Sequence, residues 1–287
     1  MRSILITGAS GLLGRQVIKL LAGQVEFHIA GRPSGAWEGV KFHALDMSQN
    51  FTTETLPAKI DSIIYLAQSD HFRDFPRHAD DVFAVNVAAP MRLLDYAHRS
   101  GARQFIYASS GAVYRKSDRP LSEGADLGLG NELGYYAVTK LAAEMLAKSY
   151  SGVLEVVLLR FFFIYGVGQK KNMLVPRLIE NVRTGTPIQL QGEGGISLNP
   201  IVANEAAKAV AAALNLLGSH TINVAGPEVL SIRTLCELIG RHVGREPNFI
   251  ITDPGNDLVA NIDEMSQRLL VPERRFEQEV ASLCSVY

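Results

Sequence analysis

Eight residues near the start, TGASGLLG (7–14), restrict the fold more than any other stretch. They follow a short apolar run, SILIT (3–7), and open a helical pattern, GLLGRQVIKLLAG (11–23). The glycines fall as G-x-x-G-x-x-G at Gly8, Gly11 and Gly14. Gly8 permits a tight turn, Gly11 lets backbone approach a pyrophosphate, and Gly14 allows a helix to pack closely on a strand. The helix N-terminus then offers N–H donors and partial positive charge to phosphates. A glycine trio alone is weak. Set between a first strand and an amphipathic helix, it predicts a dinucleotide site.

The rest of the first half fits such a frame. FHIA (27–30), VKFHAL (40–45), SIIYLA (62–67), QFIYAS (104–109) and EVVLLRF (155–161) are nearly continuous apolar runs. A parallel sheet covered on both faces requires that. Helical patterns separate several of them, at 85–101 and 134–150. Alternating strands and helices predict a doubly wound α/β sheet of the Rossmann kind. After Gly166 glycine and proline become dense, with helices expected at 173–183, 203–217, 231–243 and 274–284. The expected organisation is a dinucleotide-binding domain over 1–165, with a return segment at 198–224. A smaller α/β substrate lobe takes most of 166–287.

Composition removes several alternatives. The net charge of −1 and the lack of a long basic block give nucleic acid no electrostatic footprint. The most apolar long window, 153–167, carries Glu155 and Arg160 and is too short for a bilayer, so no membrane partner is expected. Two cysteines, Cys236 and Cys284, are too few for a disulfide framework or a zinc site. No leader is visible, no metal is expected, and a cytoplasmic protein with a small-molecule substrate is.

The end of the second strand discriminates between cofactors, because a carboxylate there suits the 2′-hydroxyl of NAD. Here IAGRPSG (29–35) carries Arg32 and no carboxylate, which favours the 2′-phosphate of NADP. NADP is therefore expected, with NAD as the alternative. Asp46 is a candidate for the adenine amino group or for a local cap.

The stretch GYYAVTK (134–140) places Tyr136 and Lys140 four residues apart, on one helical face. With nine tyrosines, chance alone gives about 0.4 such pairs. Context decides. TGASGLLG, YLA (65–67), NV (86–87), YASSGAVY (107–114), YAVTK (136–140) and LRFFFIYG (159–166) stand in an order that resembles the extended short-chain dehydrogenases/reductases, many of them NAD-dependent epimerases/dehydratases. The likeness runs through INVAGPEVLSIRTLCELIG (222–240), so it covers essentially the whole chain.

The resemblance implies roles. Tyr136 would be the general acid/base, and Lys140 would lower its pKa and bind the nicotinamide ribose. Ser110, four residues before Tyr114, would hydrogen-bond the substrate oxygen. Asn86 would start the long helix and help orient the lysine. Ser10, Leu12, Met47, Leu66, Ala67 and Phe163 would line the cofactor site with the glycines, and Asn172 and Arg177 would meet substrate. Tyr135, one residue out of register with Lys140, is expected to be wall or core. Relatives pair through helices at 77–100 and 134–150, so a homodimer is expected.

The chain also departs from relatives that act on nucleotide-diphosphate sugars. Leu198 takes the place of one diphosphate-gripping arginine, and the region 252–266 lacks a second. Lys170, Lys171, Arg177 and Arg183 are the available substitutes. Phe163 replaces a common asparagine. Gly111 and Ala112 stand where dehydratases place Asp and Glu, which argues against dehydration. The expectation is an NAD(P)-dependent reductase or dehydrogenase, first of a 4-keto-deoxysugar nucleotide. A nucleotide-sugar epimerase, a reductase of a non-sugar carbonyl compound and a non-catalytic NADP-sensing module are the alternatives.

Overall fold

A computed structural model describes residues 1–33 and 40–287. Six strands build most of the main sheet: β1 (Arg2–Thr7), β2 (Val25–Gly31), β3 (Lys41–Ala44), β4 (Ser62–Tyr65), β5 (Gln104–Ser110) and β6 (Glu155–Phe161). With the strand His220–Val224 at one edge, the seven-stranded order is His220–Val224, β6, β5, β4, β1, β2, β3. The ladders from β3 through β1 to β5 are parallel, with Ile4 opposite both Phe27 and Ser62. All four residues of β4 are buried, as are the last four of β1, because helices cover both faces.

The strand order reverses at β1. The chain winds to β2 and β3 on one side, then to β4, β5 and β6 on the other. Such a switch point opens a crevice at the carboxyl ends of the flanking strands. The glycine turn lies there. Helix α1 (Leu12–Leu21) follows it and buries Leu13, Val17 and Leu21 against the sheet.

Helix α2 (Ala79–Phe83), a π-helical turn (Ala84–Ala88) and α3 (Ala89–Arg99) run without a break, and α4 (Tyr135–Lys148) packs beside them. Val85, Leu93, Leu94 and Ala97 join Tyr65, Phe105, Tyr107, Ala143 and Ala147 in one apolar core. The helix therefore starts at Ala79, well before Asn86. The expectation that Asn86 starts it is corrected: Asn86 sits inside the π turn. A π turn widens the helix and leaves carbonyls unpaired within it. Here the carbonyls of Val85 and Asn86 accept the hydroxyls of Tyr65 and Tyr107, at 2.5 and 3.0 Å.

Two compact units emerge. The first holds residues 1–115, 126–160 and 207–222; the second holds 116–125, 161–206 and 223–287. The return to the first unit is thus shorter than 198–224. Ile201–Val202 pairs with Ile164–Tyr165 inside the second unit, which removes its first part. The segment 116–125 joins the second unit because Leu121 exchanges backbone bonds with Val259 and Asn261, and Asn223 clamps Leu121 and Glu123. Helices Leu174–Thr184, Ile232–Val243 and Phe276–Val286 pack around Leu190, Leu198, Leu235 and Ile239. Among the described residues, no helix is long and apolar enough to cross a membrane.

Candidate active site

The glycine turn has a steric logic that the spacing anticipates. Gly8 has φ +69°, and a Cβ there would lie 2.6 Å from the Leu66 carbonyl carbon and 2.7 Å from the Ala67 nitrogen. A Cβ on Gly14 would stand 2.3 Å from the Gly8 oxygen. Both spaces exist only for hydrogen. Thr7 Oγ1 accepts from the N–H groups of Leu66 and Ala67, each at 3.2 Å, and so stitches the ends of β1 and β4 together. Gly11 and Ser10 are exposed, and Leu12 is half-buried. No side chain caps α1, and no acidic residue occupies its first turn. Its leading N–H groups therefore remain open to an anion. These features fit the pyrophosphate of a nicotinamide dinucleotide.

The other cofactor candidates separate. Arg32 is 71% exposed, with Nη2 3.7 Å from Asp70 Oδ2. Asp46 accepts from the Ser48 N–H and hydroxyl at 3.0 and 2.8 Å. The Ser48 N–H holds its carboxyl below the usual carboxylate range, with the hydroxyl and the Arg32 charge adding to this and burial opposing it. Asp46 thus braces its own turn. Met47 is buried in the core beneath it. Residues 34–39, the end of the IAGRPSG segment, lie outside the described residues.

The acid/base candidates converge at the carboxyl end of β5. Strand alternation sends successive serines opposite ways. Ser109 is buried and its hydroxyl lies 2.5 Å from Glu144. Ser110 faces the other way, accepts from the Ala112 N–H at 3.2 Å, and lies close enough to the Tyr136 phenol to influence its titration. The Tyr136 hydroxyl also donates to Gln68 Oε1 at 3.2 Å, and its ring leans on Phe72 with centroids 5.2 Å apart. Lys140, one turn on, is 2% exposed. Its Nζ donates to the Ala108 carbonyl at 2.8 Å and lies 5.9 Å from the Tyr136 ring centroid. Tyr135 turns away, stacks on Phe75 and donates to the Ala79 carbonyl.

Electrostatics correct one expectation. Burial pushes the Tyr136 phenol up to about 12, against the Ser110 hydroxyl and the charge of Arg73. Burial also pulls the Lys140 ammonium down to about 7, against the opposing charge of Glu144. The lysine is a weakened cation, and Lys140 is not what draws the phenol down. Desolvation dominates at both groups. Asn86 contributes through the backbone: its Nδ2 donates to Thr139 Oγ1 at 3.0 Å, and that hydroxyl donates to the Tyr136 carbonyl at 2.7 Å.

Behind Lys140 lies a pair that the motifs did not predict. Arg160 of β6 grips Glu144 with Nε at 2.9 Å and Nη2 at 2.6 Å, both side chains 1% exposed. The guanidinium also lies over the Tyr114 ring, 4.7 Å from its centroid. Tyr136, Lys140 and Glu144 recur every four residues on α4, so Glu144 was visible as the next member of the same face. Gln68, Phe72 and Arg73 come from a loop with no periodicity to announce them.

Phe163, Asn172 and Arg177 belong to the second unit. Asn172 and Arg177 are exposed. Phe163 has φ +46°, the left-handed region that asparagine tolerates far better than phenylalanine. Leu198 is fully buried, paired with Leu230, so it belongs to the core of its unit. Arg183 is committed to the Cys284 carbonyl at 2.6 Å.

Residues 4–225 match the NAD dependent epimerase/dehydratase family. The uncharacterized UDP-glucose epimerase YtcB of Bacillus subtilis (strain 168) is 28% identical over 272 residues, spanning 87% of this chain and 85% of its own. The dTDP-4-dehydro-6-deoxyglucose reductase of Escherichia coli is 26% identical over 272 residues, spanning 88% and 85%. The crystal structure of UDP-glucuronic acid 4-epimerase from Bacillus cereus, in complex with UDP-glucuronic acid and NAD, superposes with a TM-score of 0.87 at 22% identity, covering 99% of this chain and 98% of that one. A profile match over most of the chain, on a fold and a Ser110–Tyr136–Lys140 cluster of this kind, has one reading: the chain belongs to the NAD-dependent epimerase/dehydratase family, the extended short-chain dehydrogenases/reductases.

Proposed function

We infer that the protein reduces a keto group on a nucleotide-linked sugar, a 4-keto-deoxysugar being the preferred substrate, with Tyr136 as the proton donor. The observation that carries this is the placement of the Tyr136 hydroxyl beside the carboxyl end of β5, donating to Gln68 Oε1 at 3.2 Å, one helical turn before the buried Lys140. With its phenol held near 12, Tyr136 keeps its proton at neutral pH and is ready to give it to an oxygen gaining negative charge. Gln68 fixes the hydroxyl's direction, with Ser110 beside it. Lys140, near 7, can carry or release a proton beneath it. When bound, the nicotinamide supplies or takes the electrons and hydrogen of the redox step. The glycine turn and the open end of α1 would hold its pyrophosphate, and Lys140 its ribose.

Arg32 supports NADP as the preferred cofactor: it is exposed and only loosely held by Asp70, so a 2′-phosphate can compete for it. NAD, bound by the Bacillus cereus relative, is the alternative. Epimerase chemistry is the second reading, favoured by the UDP-glucose epimerase relative. It would need the same phenol to begin as a base. Asn172 and Arg177 are proposed substrate contacts in place of the missing arginines.

A homodimer through the long helices is also proposed. Phe83 on α2 and Val138, Met145 and Leu146 on α4 are exposed apolar side chains, unusual on a face meant for water. Free Cys236 and Cys284 suit a reducing cytoplasm.

The reaction is tested by mixing the protein with dTDP- and UDP-linked 4-keto sugars and NADPH or NADH. Stoichiometric oxidation of the reduced cofactor supports the reductase. Conversion of a UDP-sugar to its C4 epimer with no net cofactor change would replace it with the epimerase.

A further inference from the structure

The segment after β4 carries a side-chain cluster that the acid/base chemistry does not use. His71, Asp74 and His78 are brought together by a run of turns between β4 and α2. The Asp74 N–H bonds the His71 carbonyl at 2.8 Å, and the His78 N–H bonds the Asp74 carbonyl at 3.3 Å. The start of the run is pinned as well. The His71 N–H donates to Ser69 Oγ at 3.0 Å, and that hydroxyl donates to the Asp81 carboxylate.

One nitrogen from each imidazole and one carboxylate oxygen all lie within 4.8 Å of one another. His71 Nδ1 and Asp74 Oδ2 are 3.0 Å apart, and the two imidazoles stack with centroids 3.9 Å apart. A tetrahedral ion with bonds of about 2.1 Å needs its donor atoms roughly 3.4 Å apart. The His71–Asp74 pair, in hydrogen-bond contact at 3.0 Å, must open slightly and the other donors, within 4.8 Å, must close, both by side-chain rotation on a half-exposed turn. Two neutral imidazoles and one carboxylate select borderline divalent ions such as Zn²⁺ or Co²⁺ over Mg²⁺ or Ca²⁺, which demand oxygen. His71 and Asp74 are 45% and 52% exposed, so an ion can enter from solvent and keep a water in its fourth position.

We propose that His71, Asp74 and His78 form a site for a divalent transition-metal ion of the Zn²⁺ class. It is separate from Ser110, Tyr136 and Lys140 but linked to them by the chain. Gln68 and Phe72, on the same segment, touch Tyr136. A bound ion cross-links the turns between them and α2, which braces that wall of the acid/base cluster.

The test uses the full chain, untagged and stripped with a chelator. Zn²⁺ is titrated by calorimetry and Co²⁺ by visible absorption, with hydrogen exchange followed over residues 70–78. One ion per chain is expected, with a Co²⁺ d–d band, slower exchange in the turns, and binding at least about tenfold weaker in each of His71→Ala, Asp74→Asn and His78→Ala. His43→Gln, in the His28–His43 contact on β2 and β3, should bind as the wild type does. Three results would overturn the proposal: no saturable binding by the wild-type chain, full binding by a His71→Ala/His78→Ala double variant, or a thiolate charge-transfer band pointing to Cys236 or Cys284.

Discussion

Lys140 offers a measurement of the site that needs no substrate. It is 2% exposed, and burial holds its pKa near 7 rather than 10.5. Between pH 7 and 9 the unfolded chain keeps this lysine protonated while the folded chain gives the proton up. The unfolded state then binds more protons, so stability rises with pH across that window. Integrating the two titrations gives a gain of about 2 kcal/mol from pH 7 to pH 9. For a chain of 287 residues that is about 4 °C in Tm. The perturbation is Lys140→Met, which keeps the volume and removes the titration. The variant loses the donor to the Ala108 carbonyl and so some stability at every pH. Only the slope is diagnostic. Urea unfolding at pH 7, 8 and 9 should show wild-type stability climbing by about 2 kcal/mol more than the variant's. Parallel curves would mean that the lysine titrates near its ordinary value. The assignment of Lys140 as a weakened cation would then fail.

Three further outcomes follow from packing and charge. Glu144→Gln leaves the Arg160 guanidinium buried without its counter-charge and should cost about 3–5 kcal/mol in urea unfolding. Gly14→Ala forces a methyl to within 2.3 Å of the Gly8 oxygen, so α1 must shift; calorimetry should show a loss of dinucleotide affinity, and unfolding a loss of about 1–3 kcal/mol. Met145, 67% exposed on α4, lies on the proposed dimer face; the wild type should sediment as a dimer and Met145→Lys as a monomer.

Local chemistry was legible in the sequence, and surroundings were not. Gly8 and Gly14 could be placed from spacing because the turn they make is set by backbone sterics, which travel with the glycines. Tyr136 and Lys140 could be put on one helical face because the helix period fixes which side chains share it, whereas Ser110 came with the family resemblance. Strand β6 was read at its full extent from its apolar centre, Val156–Leu159, although Glu155 and Arg160 lie within it.

The misses have a common origin. Whether Lys140 is a strong or a weak cation depends on how much water surrounds it, and four-residue spacing carries nothing about that. The tyrosines on β4 and β5 that take the carbonyls of Val85 and Asn86 in the π turn are partners distant in sequence. Gln68, Phe72 and Arg73 reach Tyr136 from an aperiodic loop. Leu198 is a core residue because it pairs with Leu230, a contact made across the second unit.

The central claim is that the Tyr136 phenol delivers the proton while the glycine turn independently holds the cofactor. Tyr136→Phe removes one oxygen and leaves the α4 backbone and its bonds through Thr139 and Asn86 in place. Single-turnover oxidation of NADPH by a 4-keto sugar nucleotide that the wild-type enzyme reduces should slow by about 10²–10⁴-fold, with NADPH affinity unchanged by calorimetry. Wild-type turnover in the phenylalanine variant would contradict the account.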